Sequence, residues 1–211
     1  MPLAGAAFLA LWNDIARARE PEYDHWHTQE HVPERLASPG FRGARRYVNR
    51  ARECHRYFTL YEVDDLAAFE HPGYLDLVKN PTPWSASMRP DFANFLRVTC
   101  EVASTSGAGI GAAVGLLAFG EGEIPDAVHA SPGVVGVHVG RVADAGPPPS
   151  WVKRNDAAVR AFDRLLVVEA LDRELASGAL AVARDALGLG SLPHDFGNDA
   201  YDLAFALPAR S

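Results

Sequence analysis

A short motif occurs twice in this chain of 211 residues. Residues 37–43 read ASPGFRG and residues 130–136 read ASPGVVG. Each copy is followed by a run of residues typical of a β-strand, at 44–49 and 137–142. Self-similarity at this distance indicates that the chain contains two copies of one folding unit.

Both halves show the same predicted order of elements, β-α-β-β-α-β, which is that of the ferredoxin-like unit. Such a unit forms a four-stranded antiparallel sheet with both helices on one face, so its other, apolar face needs a partner sheet. Two units in one chain supply that partner internally. We therefore expect an α+β fold in which two tandem ferredoxin-like units form a single-chain, pseudo-dimeric α/β barrel. The predicted strands are residues 8–12, 44–49, 58–66, 92–102, 114–119, 137–142, 166–175 and 200–207.

The composition of the chain suggests where the two units meet. We place the first unit at residues 1–104, a linker of small residues at 105–113 and a second, reduced unit at 114–211. The linker contains GAGIGA, which fits the dinucleotide-binding pattern G-x-G-x-x-A. That pattern must follow a strand and open a helix. Here it leads into a strand, so we do not expect a bound nucleotide.

The two predicted units are not equal. In the second unit the first helical region, around residues 123–129, is short. It has no counterpart of the sequence HWHTQEH at 25–31, whereas a proline-rich insertion lies at 144–158. We therefore expect the first unit to carry the chemistry and the second to serve as a scaffold.

Charge and cysteine content exclude several classes of partner. The net charge of −7 argues against a nucleic acid, since binding to phosphates needs a basic face. Cys54 and Cys100 do not make a disulfide framework, which favours the cytoplasm. The opening run MPLAGAAFLALWND has no basic start and is too short to span a bilayer, so we expect a first strand and no membrane partner.

The end of HWHTQEH fits H-x-x-E-H, the pattern of one group of zinc peptidases. His27 and His31 stand at i and i+4, with Glu30 between them. A peptidase of this kind needs a further acidic ligand on another helix. The available acids, Glu70 and Glu101, do not lie in a helical context. We therefore expect neither a peptidase nor a bound metal.

The helix that carries this motif is predicted to present one functional side. At 3.6 residues per turn, Tyr23, His27, Glu30 and His31 fall on the same side. Pro33 cannot donate a backbone hydrogen bond, so we expect it to interrupt the helix after His31, with one further turn following.

This region also resembles a known family. The matching residues are WHTQEHVPERL at 26–36, SPGF at 38–41, Arg46, Tyr47, YFTLYE at 57–62, NPTPW at 80–84 and Met88. They resemble a bacterial group of EthD-like proteins in the dimeric α/β-barrel superfamily. The resemblance covers residues 8–102 and is only topological over 112–211. It implies a ferredoxin-like fold with a pocket between sheet and helices. It implies no single activity, because the superfamily contains cofactor-free oxygenases, lactone isomerases, polyketide cyclases, dehydratases and haem enzymes.

His31 is the first candidate for catalysis. An imidazole exchanges protons near neutral pH, and the adjacent Glu30 would modulate it. Asn13, at the end of the first strand, is the candidate donor to a carbonyl or enolate oxygen. The predicted walls of an apolar pocket for an aromatic or alicyclic substrate are Tyr23, His27, Phe69, Tyr74 and Trp84, although each could equally belong to the core.

Glu62 is a further substrate-binding candidate, and Glu169 occupies the matching position in the second unit. A carboxylate in an apolar stripe is either desolvated, with a raised pKa, or paired with a cation. A structural ion pair inside the barrel is therefore the alternative interpretation. The candidate partners are Arg45, Arg46 and Arg97 for Glu62, and His138 for Glu169.

Together these observations favour a cytoplasmic small-molecule enzyme with no nucleotide, metal or other cofactor. The expected chemistry is acid–base isomerisation, dehydration or cyclisation, or cofactor-free oxygenation, of an apolar or aromatic substrate. One alternative is a haem or metal protein that uses His27, His31 or His71. Another is a non-catalytic ligand-binding accessory protein. The pseudo-dimer could be monomeric or form a homodimer.

Overall fold

Eight antiparallel strands close into one barrel, in the order β1-β3-β2-β8-β5-β7-β6-β4. The structure, a computed structural model, describes residues 3–146, 162–189 and 199–208. The strands are β1 (Ala7–Ile15), β2 (Phe41–Val48), β3 (Tyr57–Val63), β4 (Phe92–Gly107), β5 (Ala113–Phe119), β6 (Val134–Val142), β7 (Arg164–Ala170) and β8 (Ala200–Pro208).

The barrel is built from two equivalent sheets. Within the first unit the strands lie in the order β4-β1-β3-β2, and within the second in the matching order β8-β5-β7-β6. Pairing of β2 with β8 and of β4 with β6 joins the two sheets, and no strand of the barrel is left with an unpaired edge. The predicted single-chain pseudo-dimeric α/β barrel is confirmed.

Helices cover the outer surface of the barrel. The first unit carries α1 (Glu20–Trp26), a π-helical turn (His27–His31), α2 (Val32–Leu36), α3 (Pro72–Lys79) and α4 (Pro83–Met88). The second unit carries α5 (Asp126–His129) and α6 (Arg173–Ala186). The sequence predicted that Pro33 would interrupt the helix. In the structure the helix continues through Pro33, and only its type changes, in the π-helical turn before the proline. No described helix is long and apolar enough to cross a membrane.

Side chains alternate between the barrel interior and the helix-covered face. In β1, Phe8, Ala10 and Trp12 belong to the interior cluster, whereas Leu9 and Leu11 pack beneath the helices. The alternation follows from the two-residue period of a strand. It places Asn13, the next residue of the outward series, on the helix side.

The barrel interior also holds a buried ion cluster. Arg45 forms salt bridges with Glu62 of β3, at 2.6 Å, and with Glu169 of β7. The second oxygen of Glu62 accepts from the Ala4 amide, and that of Glu169 from the Gly111 amide. Glu62 therefore lies in a structural ion pair inside the barrel, which was the alternative interpretation of its sequence position. It faces the interior and not the helix side, where the predicted substrate-binding role would place it.

Neither of the other two predicted partners of Glu62 reaches it. Arg46, next to Arg45 in the strand, points to the opposite face and lies 3.2 Å from Asp24 of α1. Arg97 of β4 also faces the helix side. The predicted contact between His138 and Glu169 is present at 3.4 Å.

The segment between the units is shorter than the predicted linker at 105–113. Strand β4 continues to Gly107, where it pairs with Gly136 of β6, and β5 begins at Ala113. The proline-rich insertion predicted at 144–158 lies outside the described residues from position 147 onward.

Candidate active site

A cleft opens between the helix-covered face of the first sheet and the helices α1 to α4. The space between its walls amounts to about 680 Å³, a volume that includes open solvent. Its lining is Leu11, Asn13, Tyr23, Trp26, His27, His31, Arg35, Thr59, Tyr61, Tyr74, Val78, Ser85, Arg89, Phe92, Phe95 and Arg97.

The π-helical turn presents both histidines to this cleft. Its hydrogen bonds reach one residue further back than in an α-helix, and the Val32 amide donates to the carbonyl of His27. The wider turn also accommodates Pro33, which has no amide hydrogen to donate. The rings of His27 and His31 lie 5.2 Å apart, and His31 also packs at 4.5 Å on the indole of Trp26. Turns of this kind occur frequently at functional sites.

Both imidazoles are neutral at pH 7. Burial lowers the pKa of His27 well below its usual value, and the guanidiniums of Arg46 and Arg35 lower it further. Burial likewise lowers the pKa of His31, with contributions from Arg35, His27 and Arg89. In both rings Nδ1 is buried and has no hydrogen-bond partner among the described residues. His27 is buried and His31 is only partly so.

Asn13 supplies a hydrogen-bond donor beside the histidines. Its Oδ1 accepts a hydrogen bond from the buried hydroxyl of Tyr23, at 3.1 Å. This bond orients the amide and leaves Nδ2 as the donor, and Nδ2 has no partner within the described chain. Burial raises the pKa of Tyr23, so its hydroxyl remains a donor.

Two further hydroxyls line the cleft from β3. Thr59 and Tyr61 point to the helix side of the sheet, and neither hydroxyl has a partner among the residues that the structure describes. Burial raises the pKa of Tyr61, which keeps it protonated. Buried polar atoms without a partner cost free energy. A ligand with several oxygen atoms would satisfy them.

The structure separates Glu30 from His31. Glu30 Oε1 accepts hydrogen bonds from Thr82 at 2.6 Å, from Ser85 at 3.1 Å and from the Trp26 indole at 3.2 Å. Glu30 thereby ties the π-helical turn to α4. It does not line the cleft, and its carboxylate is not the partner of His31 that the sequence suggested.

Two of the predicted pocket walls lie outside the cleft. Trp84 donates from its indole to Glu22, at 3.1 Å, and packs against the ring of His25. Phe69 is buried behind the cleft, where the Arg97 guanidinium lies 5.4 Å from its ring centroid. Of the predicted residues, the structure thus brings together Asn13, Tyr23, His27, His31 and Tyr74.

The described residues contain no group of three His, Cys, Asp or Glu side chains placed to hold a metal ion. His71 caps α3 by accepting a hydrogen bond from the Gly73 amide, at 3.1 Å. Glu101, one of the acids considered for a zinc site, pairs instead with Arg141 at the surface.

Several cleft residues were not predicted from the sequence, among them Thr59, Tyr61, Arg35 and Arg89. Thr59 and Tyr61 could have been found, since strand alternation sets them opposite Phe58 and Leu60. Arg35 stands four positions after His31 on the same helical side, which is also a detectable signal. Arg89 precedes β4 in a short 3₁₀ turn, and no sequence pattern indicates its direction.

In the second unit the corresponding space is filled. Helix α6 packs directly on its sheet through Ala176, Ala179 and Ala183, all buried. A methyl group added at Gly115 of β5 would lie 2.9 Å from the side chain of Leu180, which shows how close the helix approaches. The cleft is therefore lined by residues of the first half of the chain.

No protein-family model matches the chain, and no curated protein matches it either. Solved structures do match it. An anthrone oxidase-like protein has a TM-score of 0.60 at 13% identity, with 97% of this chain and 93% of the other covered. A protein of Fusobacterium nucleatum, provisionally named a monooxygenase, has a TM-score of 0.55 at 12% identity, with 99% and 94% covered.

A third structure, provisionally named a chlorite dismutase, has a TM-score of 0.56 at 11% identity, with 94% of each chain covered. Each likeness extends over nearly the whole chain, so it includes both units and the closure between them. At such low identity the likenesses concern the fold. The chain has the same overall fold as these three proteins.

Proposed function

We propose that the cleft is the active site of a cofactor-free small-molecule enzyme in which His31 acts as a general base. The observation that carries this proposal is the combination of a half-buried, neutral imidazole and the unpartnered amide donor of Asn13 in one cleft. A neutral imidazole accepts a proton, and a nearby donor stabilises the oxyanion that forms. His31 is favoured over His27 because its partial exposure lets it pass the proton to solvent.

The proposed step is removal of a proton from a carbon atom next to a carbonyl group. The proton moves to the imidazole, the C–H electron pair becomes the enolate, and the Asn13 amide donates to the enolate oxygen. Reprotonation at another carbon gives isomerisation, and loss of a leaving group gives dehydration. Attack on an internal carbonyl gives cyclisation, and reaction with O₂ gives oxygenation without a cofactor.

Two similarities support this class of reaction. The EthD-like resemblance of residues 8–102 includes WHTQEH, which contains both cleft histidines. Two of the structurally similar proteins carry oxidase-like and monooxygenase names. We therefore propose that this chain is an EthD-like protein. Its proposed reaction is the oxygenation or isomerisation of an aromatic or alicyclic carbonyl compound.

Deuterium exchange tests the proton-removal step without knowledge of the final product. Anthrone and a series of cyclic 1,3-diketones are incubated in D₂O under nitrogen, and the enzyme-dependent exchange rate is measured by NMR. Oxygen uptake is then recorded in air. His31→Gln should lower the enzyme-dependent rate by about 100-fold or more, since a general base contributes about 10²–10⁴-fold.

His25→Gln is the matched control, because His25 lies in the same helical segment but is exposed and outside the cleft. It should retain the wild-type rate. Thermal unfolding of both variants should remain within a few degrees of the wild type. An unchanged exchange rate in His31→Gln would refute the role of His31 as base.

A further inference from the structure

The floor of the cleft is formed by alternate residues of two paired strands. Leu11 and Asn13 of β1 and Thr59 and Tyr61 of β3 all line it. In the antiparallel pairing Asn13 lies opposite Tyr57, and Leu11 lies opposite Thr59. Asn13 therefore occupies one level of the sheet, Leu11 and Thr59 the next, and Tyr61 the one after. Successive levels are about 7 Å apart, since a strand rises about 3.4 Å per residue.

The two hydroxyls of β3 are not used within the protein. Thr59 and Tyr61 are 0% and 3% exposed, and neither hydroxyl has a hydrogen-bond partner in the described part of the chain. A buried polar group without a partner costs free energy. Valine and phenylalanine would fill nearly the same space without that cost. Folding alone therefore does not explain two such hydroxyls on adjacent levels of the cleft floor.

The chemistry of these two side chains indicates the kind of group that fits them. Each hydroxyl both donates and accepts a hydrogen bond. Burial raises the pKa of Tyr61, so its hydroxyl keeps its proton. A neutral hydroxyl group of a ligand can donate to one of the two and accept from the other. The side chain of Leu11, which is partly exposed, supplies an apolar support for a ring between this pair and Asn13.

We propose that Thr59 and Tyr61 form a second oxygen-binding subsite, which takes a hydroxyl group of a cyclic ketone whose carbonyl oxygen is bound by Asn13. This inference rests on the proposed function for the position of the carbonyl group, and it adds the substrate class. Because Thr59 lies one level beyond Asn13, the two oxygens of the substrate stand on opposite sides of its ring system. Thr59 and Tyr61 thus select the substrate and do not act on the reacting carbon.

Three ketones with one ring system test the position of the second oxygen. 1-Tetralone, 5-hydroxy-1-tetralone and 8-hydroxy-1-tetralone are all neutral at pH 7. The hydroxyl of the 5-isomer lies across the rings from the carbonyl, whereas that of the 8-isomer is bonded to the adjacent carbonyl. Isothermal titration calorimetry should show the 5-isomer binding about tenfold more tightly than 1-tetralone, since a net hydrogen bond contributes roughly two- to tenfold. Equal affinity for these two, a preference for the 8-isomer, or binding of none would overturn the inference.

Thr59→Val and Tyr61→Phe test the two proposed contacts. Each should reduce the advantage of the 5-isomer over 1-tetralone to about threefold or less, and leave 1-tetralone binding unchanged within about twofold. The control is Tyr47→Phe, because Tyr47 is a buried tyrosine of the barrel interior and lies outside the cleft. It should keep the full advantage. A full advantage in both cleft variants would contradict the assignment.

Thermal unfolding tests the same two hydroxyls without any ligand. Because neither has a partner among the residues that the structure describes, the melting temperatures of Thr59→Val and Tyr61→Phe should equal or exceed that of the wild type. A fall of several degrees in either variant would show that its hydroxyl stabilises the fold. That result would remove the residue from the subsite.

The same probes separate this inference from the proposed catalytic role. His31→Gln should keep the advantage of the 5-isomer, because it removes neither hydroxyl. If the advantage holds and no deuterium exchange that depends on His31 is found, the subsite stands and the catalytic proposal fails. If 1-tetralone undergoes that exchange and the 5-isomer has no advantage in binding, the catalytic proposal stands and the subsite fails.

Discussion

At the scale of single residues, the neutral state of His27 should make stability depend on pH. Its pKa is well below the ordinary value in the folded protein, so the unfolded chain binds more protons below pH 6.5. Stability is therefore complete above that pH and is lost as the pH falls. The loss attributable to His27 is about 1.4 kcal/mol per pH unit well below pH 6.5, down to the folded pKa.

Urea unfolding of the wild type and of His27→Gln, at pH 5.0, 6.0 and 7.5, measures this contribution. The variant should lose less stability between pH 7.5 and pH 5.0 than the wild type does. Carboxylates contribute equally to both proteins, so their effect cancels in the comparison. Equal slopes in the two proteins would show that His27 is protonated in the folded state.

Single residues also show what strand alternation can and cannot predict. Alternation sets Arg45 and Arg46 on opposite faces, but it does not tell which face is the interior. The candidate list for Glu62 therefore included both. The structure assigns Arg45 to the interior because only that side chain spans the two glutamates of the two units. The distance between Glu62 and Glu169 is set by closure of the barrel and not by either strand alone.

At the scale of elements, the π-helical turn sets the position of the cleft residues. Deletion of the exposed Gln29 should convert this turn to ordinary α-helix and rotate His31 and Arg35 by about 100° relative to His27. The two histidines could then no longer face the cleft together. The crystal structure of the deletion variant should show this rotation, and its enzyme-dependent deuterium exchange should be lost.

Gln29→Ala is the control for this deletion, since it keeps the number of residues and removes only an exposed side chain. It should retain the wild-type rate of enzyme-dependent deuterium exchange. The deletion variant could instead retain the π-helical turn, with Thr28 or Glu30 in the position of Gln29. That result would show that contacts around the turn impose its geometry.

The same element shows why a local rule can fail. The sequence predicted an interruption at Pro33, because an α-helix needs the amide hydrogen that proline lacks. In the structure the turn before Pro33 changes its hydrogen-bonding period, and the helix continues to Leu36. The π-helical hydrogen-bonding period accommodates the missing amide hydrogen of Pro33, and the rule for α-helices does not consider this period. Glu30 was likewise assigned to the wrong neighbour, since its partners Thr82 and Ser85 lie on a distant helix.

At the scale of the whole molecule, Arg45 connects the two units through the barrel interior. Arg45→Met would leave Glu62 and Glu169 buried without their cation. We expect a loss of about 3–5 kcal/mol in the free energy of unfolding, the usual cost of removing one partner of a buried ion pair. Guanidinium chloride unfolding at pH 7 measures the loss.

The triple variant Arg45→Met/Glu62→Gln/Glu169→Gln separates the cost of unpaired charge from the value of the ion pairs themselves. It should recover part of the stability that Arg45→Met loses, because no buried carboxylate then lacks a cation. If the triple variant were no more stable than the single one, the cost would lie in packing and not in charge.

The architecture itself was the most predictable level. The repeated ASPG motif and the shared order of elements were sufficient for a closed pseudo-dimeric barrel, because each sheet has an apolar face that only the other can cover. The cleft was less predictable. Its charged lining comes from α2, β4 and the turn before β4, which only tertiary packing brings together.

Because the two sheets belong to one chain, amino-acid substitutions can alter one half of the barrel without altering the other. In a barrel made from two identical chains, two-fold symmetry repeats every side chain, and one substitution alters both halves at once. Here β4 leads through the short segment after Gly107 into β5, so each substitution occurs a single time. Helix α6 can therefore close tightly over its sheet without closing the cleft beneath α1 and α2. The cost of the unsatisfied polar groups that line the cleft is confined to the first half of the chain, while the second half covers its sheet with α6.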